Sequence, residues 1–107
     1  MEYIGRIEND KKLLEDRNGI VIFGAGNDLE KLLDKFKTLG IRDRIICVCD
    51  NNCAKQGIEV SGLEIVNPEQ AFSNYADAQY VVYNRYCVEI CEQLAKEHIE
   101  KVHLIRG

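Results

Sequence analysis

The segment VIFGAGND, residues 21–28, limits the folds open to this chain more than any other. It continues a run of β-branched and aromatic residues at 20–23, which is typical of a strand buried on both faces of a parallel sheet. Gly24 and Gly26 then turn the chain, and apolar residues recur at helical spacing over residues 29–36. The segment therefore predicts a buried strand, a glycine turn and a helix that packs back against the strand.

The same alternation of strands and helices continues along the chain. Further strands are predicted at residues 44–49, 63–66, 78–83 and 101–105, with a short alternating segment at 58–60. Asn67 and Pro68 predict the capped start of a second helix, and a third is predicted over residues 86–98. Such alternation forms a parallel sheet with helices on both faces. We therefore expect an α/β protein, a three-layer α/β/α sandwich with a doubly wound, mainly parallel sheet of five to six strands.

Length and composition predict one domain. A chain of 107 residues suits a single domain, and 46% hydrophobic with 30% charged residues is ordinary for a globular protein. Residues 1–18 form a charged segment with a few apolar positions, which predicts an N-terminal amphipathic helix leading into the domain. Because the chain begins just before this helix and ends just after the last strand, we expect residues 1–107 to be a domain cut from a longer protein.

Charge and hydropathy exclude several classes of partner. The net charge is −4 with mixed signs and no basic stripe, so nucleic acid is not expected as a partner. No stretch approaches the roughly 18 apolar residues of a membrane span, and the N-terminus is too charged for a secretion signal. The five cysteines, an odd number without such a signal, favour a reducing compartment. We therefore expect a cytoplasmic protein.

Three strand ends carry candidate binding residues. In a doubly wound sheet, ligands bind beyond the carboxyl ends of the strands, where the winding reverses. Gly24 would allow the tight turn, and Gly26 would let a phosphate approach the helix N-terminus. Asp50 ends the next strand, where a carboxylate can accept hydrogen bonds from ribose hydroxyls. Arg85 and Tyr83 follow a later strand, as candidates for pairing with a phosphate and for stacking on a base.

These positions also have a purely structural interpretation. Leu29 replaces the third glycine of the pattern G-x-G-x-x-G, and Asp28 puts a negative charge beside the turn. The glycine turn would then only connect a strand to a helix. Asp50 would cap the turn that follows it, and Arg85 would be a solvated residue at a helix start. The residues by themselves leave both interpretations open.

Neither a metal site nor a catalytic set is predicted. Cys47, Cys49 and Cys53 resemble part of a zinc site, but the remaining pair, Cys87 and Cys91, falls on a helix face that should pack on the sheet. The two histidines belong to the end of the last helix and to the last strand, so neither can serve a thiol near the glycine turn. We expect no catalytic activity from this domain alone, while a parent protein with an enzymatic domain stays open.

The segments VIFGAGND, VCDNNCAKQG and VSGLEIVNPEQA resemble a set of small Rossmann-like domains from bacterial surface-polysaccharide proteins. Such domains occur in nucleotide-sugar dehydratases and epimerases, at the N-terminus of sugar acetyltransferases, and joined to methyltransferases and glycosyltransferases. The resemblance implies a Rossmann-like fold that binds NAD(P) or a nucleotide-sugar. It places Gly24, Gly26 and Asp50 at the nucleotide-binding positions and Asn51, Lys55 and Gly57 in the loop after the second strand. Together with the residues at the strand ends, the candidate binding residues are Gly24, Ala25, Gly26, Asn27, Asp50, Asn51, Asn52, Lys55 and Arg85.

Two functions follow from these patterns. The first is a module that binds a nucleotide, dinucleotide or nucleotide-sugar in surface-polysaccharide metabolism, with catalysis supplied by another domain or partner. The second is a ligand-free interaction or dimerisation domain that positions an attached glycosyltransferase, methyltransferase or acetyltransferase. The glycine turn in register with Asp50 favours the first function. Asp28, Leu29 and the apolar face of the N-terminal segment favour the second, with a homodimer as one form of assembly.

Overall fold

The computed structural model describes residues 3–5, 11–15, 17–83 and 87–105. Its strands are β1 (Tyr3–Gly5), β2 (Ile20–Phe23), β3 (Ile45–Cys49), β4 (Glu59–Val60), β5 (Leu63–Val66), β6 (Gln79–Val82) and β7 (Val102–Ile105). Its helices are α1 (Lys11–Glu15), α2 (Leu29–Thr38), α3 (Pro68–Asn74) and α4 (Cys87–Lys96), with a 3₁₀ turn at Arg42–Arg44.

The strands form one sheet in the order β1-β7-β6-β2-β3-β5-β4. Neighbouring strands are parallel except for β4 and β5, which form an antiparallel hairpin at one edge. From β2 the chain winds outward through β3 to β5, and it then returns to β6 on the other side of β2. The winding direction therefore reverses between β2 and β6. This order confirms the predicted α/β fold with a doubly wound, mainly parallel sheet.

Helices bury both faces of the sheet. Side chains alternate along β2, so that Ile22 packs in one core and Phe23 in the other. The first core also holds Leu13 of α1 and the apolar stripe of α2, while the second holds Phe72 of α3 and Leu94 of α4. Each large apolar side chain removed from water contributes about 1.5–3 kcal/mol. The two cores therefore hold the three predicted layers together.

The N-terminal segment differs from the helix predicted over residues 1–18. The chain first forms β1, which pairs in parallel with β7 at the edge of the sheet, and only then the short helix α1. Pairing along the sheet edge gives the backbone of β1 hydrogen-bond partners that a marginal helix would otherwise supply locally. This tertiary contact overrides a weak helical pattern. With β1, the residues that the structure describes form a seven-stranded sheet, where five to six strands were predicted.

A β-hairpin takes the place of a helix between β3 and β5. Ser61 and Gly62 join β4 to β5 with φ angles of 51° and 82°. Two successive positive φ angles are typical of a type I′ turn, whose twist matches that of the strands. The Arg42 guanidinium donates from Nη2 to the Ser61 carbonyl at 2.7 Å. This bond fixes the hairpin to the 3₁₀ turn that precedes β3.

The helices are short, and their ends follow the sequence signals. The Asn67 side chain accepts a hydrogen bond from the backbone N–H of Glu69 at 2.8 Å, and Pro68 occupies the first position of α3. This is the cap that the sequence predicted. In the part of the chain that the structure describes, no helix is long and apolar enough to cross a membrane.

Arg44 joins α1 to the sheet, and we expect its loss to be destabilising. Its Nη1 and Nη2 donate to the carbonyls of Leu14 and Leu13 at 2.9 and 2.8 Å. Arg44→Met should lower the free energy of unfolding by about 1–3 kcal/mol, because it removes two hydrogen bonds from a charged donor. Urea denaturation measures this loss. Arg42→Met removes one exposed bond and should lose less than about 1 kcal/mol; equal losses in the two variants would contradict the role of Arg44.

Candidate functional site

A cleft of about 690 Å³ lies at the carboxyl ends of β2, β3 and β6. Its walls are the glycine turn (residues 24–28), the β3 loop (residues 50–57), Tyr83 after β6, and the residues Glu89 and Ile90 of α4. The cleft therefore lies where the winding direction of the sheet reverses, which is the place where doubly wound sheets bind ligands. Its volume falls within the range of small-molecule sites, about 300–1,000 Å³.

The backbone of Gly24 requires a glycine. Its φ angle is 119°, a conformation that residues with a side chain rarely adopt. Its N–H donates to the carbonyl of Cys49 at 2.7 Å, so the pairing of β2 with β3 extends one residue into the turn. The glycine turn therefore begins directly at the edge of the sheet, as the sequence predicted.

The Asp50 carboxylate joins the glycine turn to the β3 loop. Its Oδ2 accepts the N–H of Ala25 at 2.7 Å, and its Oδ1 accepts the N–H of Asn52 at 2.8 Å. The second bond is the turn cap of the structural interpretation, and the first reaches the turn that follows the neighbouring strand. Each carboxylate oxygen keeps a further lone pair. Asp50 is half-buried and lines the cleft, so a ligand in the cleft would lie beside its side chain.

Lys55 also contacts Ala25 of the glycine turn, at its carbonyl group. Its Nζ donates to the carbonyl of Ala25 at 2.8 Å. The N–H of Ala25 is therefore held by the negative Asp50 and its carbonyl by the positive Lys55, and both side chains come from the β3 loop. An ammonium group has three donors, so two remain for a ligand. Among the cleft-lining residues that the structure describes, Lys55 is the only cation.

Tyr83 bridges the glycine turn from the β6 side. Its hydroxyl donates to the carbonyl of Gly24 at 2.9 Å. Burial raises the pKa of Tyr83 to about 12, and the backbone N–H of Gly26 acts to lower it. The negative charges of Asp28 and Asp50 add to the increase in the pKa. The hydroxyl therefore stays protonated and remains a donor at neutral pH.

Nothing in the fold requires a glycine at position 26. Gly26 is absent from the residues with positive φ, and a Cβ added there would meet no atom within 4 Å. Gly26 and Asn27 are exposed and line the cleft where α2 begins. The N-terminus of a helix attracts anions through its backbone N–H groups. A residue without a side chain at this position lets a ligand approach those groups closely.

Asp28 and Leu29, which depart from the phosphate-binding pattern, lie in different environments. Leu29 is 3% exposed and packs in the first core, and it does not line the cleft. Asp28 is exposed and lines the cleft, and its side chain makes no capping hydrogen bond to α2. Leu29 therefore does not obstruct a ligand. The charge of Asp28 opposes an anion at the turn.

The remaining asparagines of the β3 loop have protein partners. Asn52 Oδ1 accepts the N–H of Ala54 at 3.0 Å, which shapes the loop. Asn51 Nδ2 donates to Gln93 Oε1 at 3.0 Å, and Gln93 Nε2 donates to Asn51 Oδ1 at 3.1 Å. Sequence reasoning selected Asn51 and missed Gln93. No local pattern relates these two residues, which are 42 positions apart in the chain.

Arg85, the last candidate residue, lies outside the described residues. Of the cysteines considered for a metal site, Cys47 and Cys49 are buried in the second core. Burial raises the pKa of Cys47 to about 11, with a further increase from the charge of Glu64, and burial also raises the pKa of Cys49. Metal ions bind the thiolate form. Within the described ranges, no group of three or more histidine, cysteine or acidic side chains could hold a metal ion.

Comparison with known sequences identifies the family. The profile of the C2185-like, N-terminal family matches residues 16–105, which include β2 to β7 and every described wall of the cleft. The chain belongs to this family. No curated protein matches the sequence.

Two solved structures resemble the domain in fold. The crystal structure of RSP, a Rex-family repressor, has a TM-score of 0.64 and 14% sequence identity, over 88% of this chain and 54% of the repressor. UDP-D-quinovosamine 4-dehydrogenase from Vibrio fischeri has a TM-score of 0.61 and 21% identity, over 79% of this chain and 75% of the dehydrogenase. The domain thus spans about half the length of the repressor. At these identities the likeness shows the fold alone, which is Rossmann-like as expected.

The bridge from Tyr83 to the glycine turn can be tested by removing one oxygen atom. Tyr83→Phe keeps the ring and loses the hydrogen bond to Gly24, so we expect the free energy of unfolding to fall by about 0.5–1.5 kcal/mol. Thermal unfolding followed by circular dichroism measures the change. Tyr75→Phe, at the C-terminal end of α3, is the control and should change the stability by less than about 0.5 kcal/mol. A Tyr83→Phe protein as stable as the unmodified one would show that the bridge is not formed.

Proposed function

We propose that this domain binds a nucleotide, dinucleotide or nucleotide-sugar in the cleft between the glycine turn and the β3 loop. The observation that carries the proposal is the convergence of the glycine turn, Asp50 and Lys55 at the edge where the sheet reverses its winding. A phosphate needs backbone N–H groups and a cation, and a ribose needs a carboxylate. The cleft offers all three.

The phosphate of the ligand binds at the start of α2 in this proposal. Gly26 and Asn27 present the helix N-terminus to the cleft, and Gly26 leaves the space that a phosphate needs. The two unused donors of Lys55 would offset the charge of the phosphate. Asp50 would accept the ribose hydroxyls with the lone pairs that its bonds to Ala25 and Asn52 leave over.

The ligand class rests on two further observations. UDP-D-quinovosamine 4-dehydrogenase shares the fold and is named after a nucleotide-sugar. The motifs of the β3 loop and of the hairpin resemble those of domains from surface-polysaccharide proteins. We therefore propose NAD(P) or a nucleotide-sugar as the ligand and surface-polysaccharide metabolism as the setting. Catalysis would come from another domain or partner, in the cytoplasm.

A ligand-free assembly domain is the second candidate, and Asp28 is the observation that favours it. An exposed carboxylate on the wall of the cleft repels a phosphate at the turn. In a domain that positions an attached transferase, alone or as a dimer, this charge would have no disadvantage. The two candidates differ in the effect of substitutions at the turn on ligand binding.

Gly26→Ala separates a binding role of the turn from a structural one. The added methyl group meets no protein atom, so the unliganded variant should be equally stable or more stable by about 0.4–1 kcal/mol. The same methyl group occupies the space of the phosphate, so affinity should fall at least about tenfold, or 1.4 kcal/mol. Thermal shift with NAD, NADP, ATP and UDP- and CDP-sugars measures both quantities, since a ligand at one hundred times its Kd stabilises the protein by about 2.7 kcal/mol.

Asp28→Asn is the variant matched to Gly26→Ala, and its expected effect on affinity is the opposite. Removing the exposed charge should strengthen binding of a phosphate-bearing ligand by about twofold to fivefold at low salt, and the gain should shrink as salt is added. Asp50→Ala is less informative, because it also removes the acceptor of two backbone N–H groups. If none of these ligands raises the melting temperature of the unmodified protein, the assembly domain becomes the better account.

A further inference from the structure

The side-chain amides of Asn51 and Gln93 form a reciprocal pair at the cleft. The Asn51 Nδ2 to Gln93 Oε1 distance is 3.0 Å, and the Gln93 Nε2 to Asn51 Oδ1 distance is 3.1 Å. Each amide therefore presents a donor and the neighbouring acceptor to the other, edge to edge. The pair joins the β3 loop to α4, and both of its hydrogen bonds are exposed to solvent.

The pair lies beside the cleft, where the β3 loop is bonded to α4. Asn51 lines the cleft, as do Glu89 and Ile90 of α4. Gln93 lies four residues after Glu89, so it shares that face of the helix one turn further on. The Gln93 side chain does not line the cleft itself, and it reaches the cleft wall through Asn51. Asn51 therefore lines the cleft, while its amide is bound by a residue of α4 that lies next to the cleft wall.

An amide edge with adjacent donor and acceptor is also the group with which asparagine and glutamine read nucleobases. Such an amide binds a base through two parallel hydrogen bonds to a donor and an acceptor on the edge of the base. Adenine and uracil both carry edges of this kind. In the structure, the Gln93 amide occupies this edge of Asn51 and presents the same pattern of donor and acceptor as a base.

We propose that Asn51 reads the base of the bound nucleotide and that Gln93 occupies the base-reading edge of Asn51 until the ligand displaces it. The proposal rests on the nucleotide-binding function proposed above. Displacement exchanges two exposed, neutral hydrogen bonds for two of the same kind, and such bonds contribute little net free energy in water. Gln93 therefore acts as a competitor that lowers affinity for any ligand with a suitable base edge.

A competitor has a distinctive signature, because removing it strengthens binding. Gln93→Met keeps the length of the side chain and its helix propensity but loses the amide. We expect the variant to bind ADP and UDP about threefold to tenfold more tightly than the unmodified protein. Binding of ribose 5-phosphate, which has no base, should not change. Lys96→Met, an exposed substitution on the same helix, should leave all three affinities unchanged.

Asn51→Leu is the complementary variant. It removes the proposed reader, so the affinities for ADP and UDP should fall toward that of ribose 5-phosphate. In the Asn51→Leu background, Gln93→Met should no longer strengthen binding. Titration calorimetry measures the affinities, and side-chain amide resonances in nitrogen-15 NMR report the exchange directly. On addition of ADP, the Gln93 amide should move to the chemical shifts of a solvated glutamine.

The outcomes separate this inference from the proposed function. If ADP or UDP binds the unmodified protein but Gln93→Met binds it equally or more weakly, displacement of Gln93 is wrong while nucleotide binding stands. A Gln93 amide resonance that stays in place at saturating ADP would also overturn it. If neither nucleotide binds any of these proteins, the nucleotide-binding function fails and the base-reading role of Asn51 fails with it.

Discussion

The site depends on the contact between the Asp50 carboxylate and the N–H of Ala25. This bond joins the residue after β3 to the turn after β2, and the second oxygen of Asp50 fixes the β3 loop through Asn52. Hydrogen bonds from backbone N–H groups to a carboxylate are stronger than those between neutral groups. Because Lys55 binds the carbonyl of Ala25, opposite charges from one loop hold both sides of one residue. The glycine turn therefore has a defined position in the absence of a ligand.

A turn fixed by protein groups gives a cleft with positioned walls, which would lower the cost of ordering for a ligand that binds there. Tyr83 holds the turn from the opposite side through the carbonyl of Gly24. Three neighbouring strands thus each contribute to the same short segment: β2 supplies it, β3 is followed by Asp50 and Lys55, and β6 is followed by Tyr83. Only a strand order in which β2 lies between β3 and β6 brings these groups together. The strand order that reverses the winding therefore also determines the geometry of the glycine turn.

The sequence predicted those features that burial and local geometry decide. β2 is apolar at every position because both of its faces are buried, and the buried stripe of α2 and the Asn67 cap have periodic or local signatures. It missed β1, because that strand is stabilised by pairing with β7 at the other end of the chain. The Tyr83 bridge and the Gln93 pair join residues 59 and 42 positions apart. Contacts between distant side chains leave no pattern in a single sequence, and the hydroxyl of Tyr83 and the amide of Gln93 acquire their partners only in the folded chain.

The sequence left a structural role and a binding role for Asp50 as alternatives. The carboxylate accepts hydrogen bonds from two backbone N–H groups and still has lone pairs for a ligand. The two roles are therefore compatible, and Asp50 does not distinguish a binding domain from an assembly domain.

Gly26 distinguishes a binding domain from an assembly domain better than Asp50 does. Gly24 is required by its φ angle with or without a ligand, whereas an alanine at position 26 would fit and would restrict the unfolded chain. A glycine there is therefore slightly destabilising without a ligand, and the close approach of a phosphate in the proposed site would account for it. The opposing charge of Asp28 is exposed, so its repulsion is about 0.3–1 kcal/mol and is screened by salt. In the proposed site, the N-terminus of α2 and the charge of Lys55 would attract a phosphate, and Asp28 would repel it.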